Sequence, residues 1–208
     1  MGAAVIVGVG ALACGAADAD TFVPLPDGTK AGADGVVITR DGEHAVVSSS
    51  LAANGTGRVV WVSGRASADV PNAPVAQPGP NNGPLNMPGS NDSSTHGASQ
   101  INTGYLVGCQ VDIAKDAISA GVSGGVSLSG PSAGGSVGVN LGPGQVKFVQ
   151  IDSKDITEPG TWAVEYRDAE IHVEGCAGFA QARAYTMVEV VGAHYSKTAL
   201  YGQPFALG

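Results

Sequence analysis

The stretch Ala117–Gly144, AISAGVSGGVSLSGPSAGGSVGVNLGPG, alternates with a period of two. Ile118, Ala120, Val122, Val126 and Leu128 share one parity, and Ser119, Gly121, Ser123, Gly125, Ser127 and Ser129 share the other. Gly130-Pro131-Ser132-Ala133-Gly134 carries turn chemistry, because proline fixes φ and glycine permits positive φ. Beyond it Val137, Val139 and Leu141 alternate with Ser136, Gly138 and Asn140. A strand sends successive side chains to opposite faces, so the stretch predicts a β-hairpin with one apolar face and one small polar face. No residue from Ile118 to Val146 is charged. Two settings accept such a hairpin. In a secreted β-sandwich the apolar row is half-buried. In a membrane barrel Ile118, Val122, Val126, Leu128, Val137, Val139 and Leu141 face lipid, and the Ser, Gly and Asn row from Ser119 to Asn140 lines the lumen.

The composition outside the hairpin points the same way. The chain has 208 residues, long enough to bury a core in one domain. Charged residues make up 13%, which with 43% hydrophobic content excludes a disordered chain. A net charge of −8, with ten Lys and Arg spread thinly, excludes a nucleic-acid binder. Short runs rich in Val and aromatics recur along the chain, and none of useful length has helical periodicity, so the fold class is mostly β. Gly35–Arg40 and His44–Ser48 read as two strands joined by a turn at Asp41-Gly42, followed by a strand over Gly57–Ser63. Residues 69–100 hold six of the twelve prolines and no Lys or Arg, and are expected to form an extended loop. Strand character resumes over Gly104–Ile113, Gln145–Ile151, Thr161–Tyr166, Glu170–Glu174 and Phe179–Val191.

Residues 1–19 read as a secretory signal: Ala3–Ala13 is apolar, and Ala17 and Ala19 stand at −3 and −1 of a cleavage site before Asp20. No Lys or Arg precedes Lys30, so the signal is expected to start upstream of Met1. Gly8-Val9-Gly10-Ala11-Leu12-Ala13 mimics a dinucleotide fingerprint, yet the proline-rich β-like runs that follow are not a βαβ unit. Ala11 stands three before Cys14, where lipoprotein boxes usually place Leu. Residues 20–208 are then a single domain. If Cys14 leaves with the signal, Cys109 and Cys176 remain as an even pair, which an oxidising compartment is expected to join; the alternative is two buried thiols.

Catalytic and metal signatures are missing. His44, His96, His172 and His194 have no ligand spacing to a second His or Cys. His172-Val173-Glu174 lacks the downstream Cys pair of zinc deaminases, and reads as a solvated pair on one strand face. There is no G-x-S-x-G elbow. Asp112, Asp116, Asp152 and Asp155 are expected to solvate the base of the hairpin. No cofactor is implied.

Four blocks together resemble a known family. Trp61-Val62-Ser63-Gly64-Arg65-Ala66, Gly104-Tyr105-Leu106-Val107-Gly108, Ser136–Gly144 and Tyr201-Gly202-Gln203-Pro204-Phe205 are similar, in the same order, to blocks of the MspA-type porins of mycolic-acid bacteria. The resemblance spans about residues 57–208. It implies a β-sandwich-like rim domain carrying a hairpin that oligomerises, eight chains together, into a transmembrane barrel. It implies export to the mycolic-acid outer membrane, contact with its lipid, and passive passage of small hydrophilic solutes. The hairpin over residues 117–144 is shorter than the family's archetype and has no acidic residue near its tip. An envelope-associated β-sandwich binding module without a pore is the alternative.

Overall fold

A computed structural model describes residues 20–49, 56–75, 98–110, 136–140, 144–192 and 194–208, with backbone only at 136–140. Its organisation is easiest to see in strand β3, Val37–Ser49. Ile38 and Arg40 are buried on one parity, and Glu43 and Ala45 on the other. The phase slips at Asp41–Gly42, where Gly42 takes a positive φ of 63° and the pairing with the next strand shifts register. The expected hairpin turn at Asp41-Gly42 is therefore a bulge inside one continuous strand. A glycine in the left-handed region serves either purpose, and local sequence does not separate them.

The other strands are β1 Thr21–Pro24, β2 Gly28–Ala31, β4 Arg58–Val70, β5 Ser99–Cys109, β6 Ser136–Asn140, β7 Val146–Ile156, β8 Gly160–Glu174, β9 Ala180–Val191 and β10 Tyr195–Ala206. Among the described residues one 3₁₀ turn, Ala33–Gly35, interrupts them. One sheet runs β1-β3-β4-β8-β6 with β2 also on β3, and the second runs β10-β9-β5-β7. All pairings are antiparallel except β6 on β8, which is parallel. The two sheets face each other as a sandwich. The expected strands at 161–166 and 170–174 are one strand, β8. The one-turn helix considered for residues 152–159 is instead the end of β7 and a bend.

Two apolar clusters fill the interior. Near the ends of β5 and β8 lie Val60, Val62, Val107, Val149, Ile171, Val173, Ala182 and Leu207. Towards the opposite end lie Val36, Ile38, Ala66, Ile101, Ile156, Val188 and Val190. Each large aliphatic side chain taken fully from water contributes about 1.5–3 kcal/mol. Residues 1–19 and most of the 69–100 loop lie outside the described residues.

Candidate functional site at the hairpin base

The strands that flank residues 111–143 in sequence, β5 and β7, meet at one end of the sandwich. Gly108 of β5 faces Val146 of β7 in register, so the ends of residues 109–145 stand side by side. There Cys109 is bonded to Cys176, with Cα atoms 5.9 Å apart. The bridge ties β5 in one sheet to the end of β8 in the other, across 67 residues of sequence. A loop of that length constrains the unfolded chain by about 4 kcal/mol in the chain-entropy model. Backbone bonds reinforce the same end: Gln110 N–H donates to Phe179 O (2.9 Å), Cys176 N–H to Thr56 O (2.8 Å) and Leu207 N–H to Ala180 O (2.9 Å). Val146 and Phe179 stand exposed here, at 62% and 49%.

Of the hairpin residues, Ser119, Gly121, Ser123, Gly125, Ser127, Ser129, Ile118, Val122, Val126, Leu128 and Leu141 lie outside the described residues. Ser136, Val137, Gly138, Val139 and Asn140 form β6, which pairs in register from Ser136↔Glu170 to Asn140↔Glu174. β8 runs towards the disulfide end, and a parallel partner runs the same way. Ser136 therefore lies back along the domain, about four strand residues or roughly 13 Å from the base. His172 and Glu174 share one face of β8, as expected, with Nε2 2.6 Å from Oε1. Asp152 and Asp155 do not sit at the base. They oppose Thr103 and Gln100, well along β7, and Gln100 Nε2 donates to Asp155 Oδ1 at 3.1 Å. Asp112 and Asp116 lie outside the described residues.

Between the sheets lies a buried polar cluster that the sequence alone does not show. Tyr105 of β5 donates its hydroxyl to Glu43 Oε1 (2.7 Å) and touches Tyr166 Oη of β8 (3.1 Å). Glu43 Oε2 meets Arg40 Nη2 at 2.5 Å, both side chains almost wholly buried. The Tyr105 ring packs edge-on against Tyr166 and Phe205, with centroids 6.3 Å away in each case. Burial pushes the Glu43 carboxyl above its ordinary range, against the pull of the Arg40 guanidinium and the Tyr105 hydrogen bond. Burial also raises the Tyr105 phenol far beyond its usual range, with Tyr166 and Glu43 adding to the shift. The cluster is thus a buried strut of two phenols and an Arg–Glu pair spanning the two sheets.

The quoted blocks converge on this strut. A Cβ on Gly64 would crowd Tyr166 Oη at 3.1 Å, and one on Gly202 would run into the Arg40 guanidinium. A Cβ on Gly104 would strike the Val149 carbonyl. Three of the four blocks also mark a register shift: Val62/Gly64 in β4–β8, Thr103/Gly104 in β5–β7, and Tyr201/Pro204 in β9–β10. With the shift at Asp41/His44 in β3–β4, both sheets carry such irregularities, which increase local bend and twist. Pro204 is tolerated because β10 is an edge strand and the proline sits at a bulge. Arg40, Glu43 and Tyr166 belong to none of the blocks. Their signal was the phase of burial on either side of Gly42, which becomes visible only when the bulge is known.

Among the described residues no group of three or more His, Cys, Asp and Glu is placed to hold a metal. Among the same residues no helix is long and apolar enough to cross a membrane, which leaves crossing by strands open.

The fold and the base define a class: a β-sandwich with one end covalently clamped, from which an uncharged stretch of sequence departs. The MspA family model matches residues 81–206, more than half of the chain and including the hairpin, and the chain belongs to this family of porins. The match takes in three of the four quoted blocks and begins after Trp61–Ala66. No curated protein matches the chain.

Proposed function

We propose that the protein is the subunit of a passive, water-filled channel in the outer membrane of a mycolic-acid cell envelope, and is not an enzyme. Its residues 117–144 supply the stem. The observation that supports this reading is the clamped base: β5 and β7, which bracket the proposed stem in sequence, are held side by side there by Gly108 opposite Val146, next to the Cys109–Cys176 bridge. Eleven residues from Ile118 to Leu128, at about 3.3 Å each and tilted near 45°, span roughly 25 Å, the height of an outer-membrane apolar band. One hairpin exposes two unpaired edges, which lipid does not tolerate, so several copies must close the barrel. Eight copies would follow the family. The Ser, Gly and Asn row gives a neutral lumen for small hydrophilic solutes, with charge selection left to the acidic rim domain.

Planar-bilayer conductance of the detergent-extracted protein is the test. Stepwise single-channel openings are expected, and a membrane left silent at every protein concentration rejects the reading. In a Cys109–Cys176 background with single added cysteines, charged thiol reagents should reduce current at Ser123→Cys and leave Val122→Cys unaffected. The reverse pattern would invert the lumen assignment by one register step.

A second reading, an envelope-associated binding module without a pore, is favoured by β6. While Ser136–Asn140 pairs with β8, it is not a leg of a projecting hairpin.

A further inference from the structure

The segment Ser136–Asn140 is asked to be in two places. In the channel reading it is the returning leg of the stem, approaching the base from outside the domain. In the structure it approaches the same base from the domain side, parallel to β8, with Ser136 beside Glu170 and Asn140 beside Glu174. A strand cannot hold both positions, because both use its backbone hydrogen-bonding edges. Moving between them requires the chain after Asn140 to reverse direction. The sequence there is Leu141-Gly142-Pro143-Gly144, and Gly144 already has a positive φ of 69°, with nothing within 4 Å of where a Cβ would stand. A glycine there can change its backbone angles without a side chain to repack.

The edge itself has a reason to be covered. β8 is paired along its length with β4 on one side, and on the other β6 covers Glu170–Glu174. Ile171 and Val173 in this stretch are fully buried. An apolar strand edge left open invites pairing with another chain, and proteins generally blunt such edges. The short parallel strand Ser136–Asn140 covers five residues of it.

We infer that β6 is a releasable strap: it caps the edge of β8 while the subunit is alone and swings out about Gly144 to become the returning leg of the stem when subunits assemble. The inference rests on the channel reading for its second half only; the docked half stands on the β6–β8 register. Docking makes the two states exclusive. It keeps an uncharged hairpin leg on the domain until other copies are present to pair with it, and it exposes the edge of β8 only in the assembled form.

The test uses the mature chain and two measurements. Hydrogen exchange on the dilute monomer should show the amides of 136–140 slowed by about tenfold or more relative to an unstructured peptide, and that protection should change partner on assembly. A Ser136→Cys/Glu170→Cys variant should form a second disulfide, because parallel neighbours stand within the Cα range a disulfide accepts. With that lock closed, and confirmed by peptide mapping beside the native Cys109–Cys176 bridge, assembly in lipid and current should fall at least about tenfold. Reductant should restore both, judged against the unsubstituted protein in the same reductant. A locked protein that assembles and conducts like the unsubstituted one overturns the inference. So does free exchange of 136–140 in the monomer, or a cysteine pair that never closes. If the unsubstituted protein never conducts, the channel reading fails on its own, and the strap is then judged by exchange. Protection of 136–140 and of Glu170–Glu174 that persists unchanged from buffer to lipid means β6 never leaves, and the strap is rejected.

Discussion

The two edges of β8 differ in kind. Against β4 the strand is paired from Val173 to Gly160, and the pairing encloses Ile171, Val164 and Tyr166 beneath a second sheet. Against β6 it is paired over Glu170–Glu174 only, in the parallel sense, by a segment of small residues. The first edge is fixed by packing and by the Tyr105 strut, neither of which rearranges without unfolding. The second is a parallel pairing over five residues, whose backbone hydrogen bonds are individually worth about 0.5–1.5 kcal/mol net. A protein that must keep one element rigid and move another can therefore use the two sides of a single strand.

The comparison breaks most violently at Glu43. Glu43→Ala leaves the Arg40 guanidinium buried without its ion partner, and removal of one member of a buried pair costs about 3–5 kcal/mol. The urea midpoint should fall accordingly, and Arg40→Met/Glu43→Leu should lose less than the single change. A single-variant loss below about 1 kcal/mol would show the strut to be ornamental. Next in size is the clamp. Cys109→Ser/Cys176→Ser should lower stability by about 2–4 kcal/mol, seen as a lower melting temperature that reductant then moves little further. Tyr105→Phe removes the hydroxyl that serves Glu43, and should cost about 1–3 kcal/mol while leaving the far-ultraviolet spectrum alone.

The pH response sharpens the same point. The Glu43 carboxyl is raised from 4.5 by burial, with Arg40 opposing. A raised folded-state value means that its contribution is fully present below 4.5 and is lost as pH rises through the folded value. The stability difference between the natural protein and Glu43→Gln should therefore shift against the natural protein as pH is raised from 4 upward. A difference that moves the other way would mean that Arg40 outweighs burial. The smallest effect belongs to the loose edge. Gly138→Pro removes a backbone donor from β6, and should change global stability by less than about 1 kcal/mol while speeding exchange at Glu170–Glu174. A global loss as large as that of Glu43→Ala would put β6 in the core after all.

Strand content was legible because alternation and β-branched residues survive in isolation: Arg58–Val70, Ser99–Cys109 and Ala180–Val191 all contain runs read as strands from sequence. The Cys109–Cys176 pair was legible from parity of number and expected compartment. The Asp41-Gly42 bulge was misread because a bulge and a turn make the same local demand, positive φ at one residue. The strut was invisible for a related reason. Arg40 and Glu43 look like ordinary surface charges until Gly42 turns both inward. The strand Tyr195–Ala206 was hidden by Gly202 and Pro204, residues depleted in strands, whose presence is explained by the Arg40 guanidinium above one and a bulge at the other. The position of β6 lay beyond any local pattern, because its alternation fits an edge strand and a barrel leg equally well.

The bridge between Cys109 and Cys176 also has a topological side. It closes the intervening chain into a covalent ring, with β6, β7, β8 and the hairpin all inside the circuit. A ring offers no end to thread through anything. Whatever leaves the domain from within it goes out as a doubled cord, outbound and inbound legs together, with the bend leading. The foremost residues of that bend, Gly130-Pro131-Ser132-Ala133-Gly134, carry no charge to drag across an apolar layer. A knot-free loop of this kind is also reversible: it can be withdrawn along the path by which it went out.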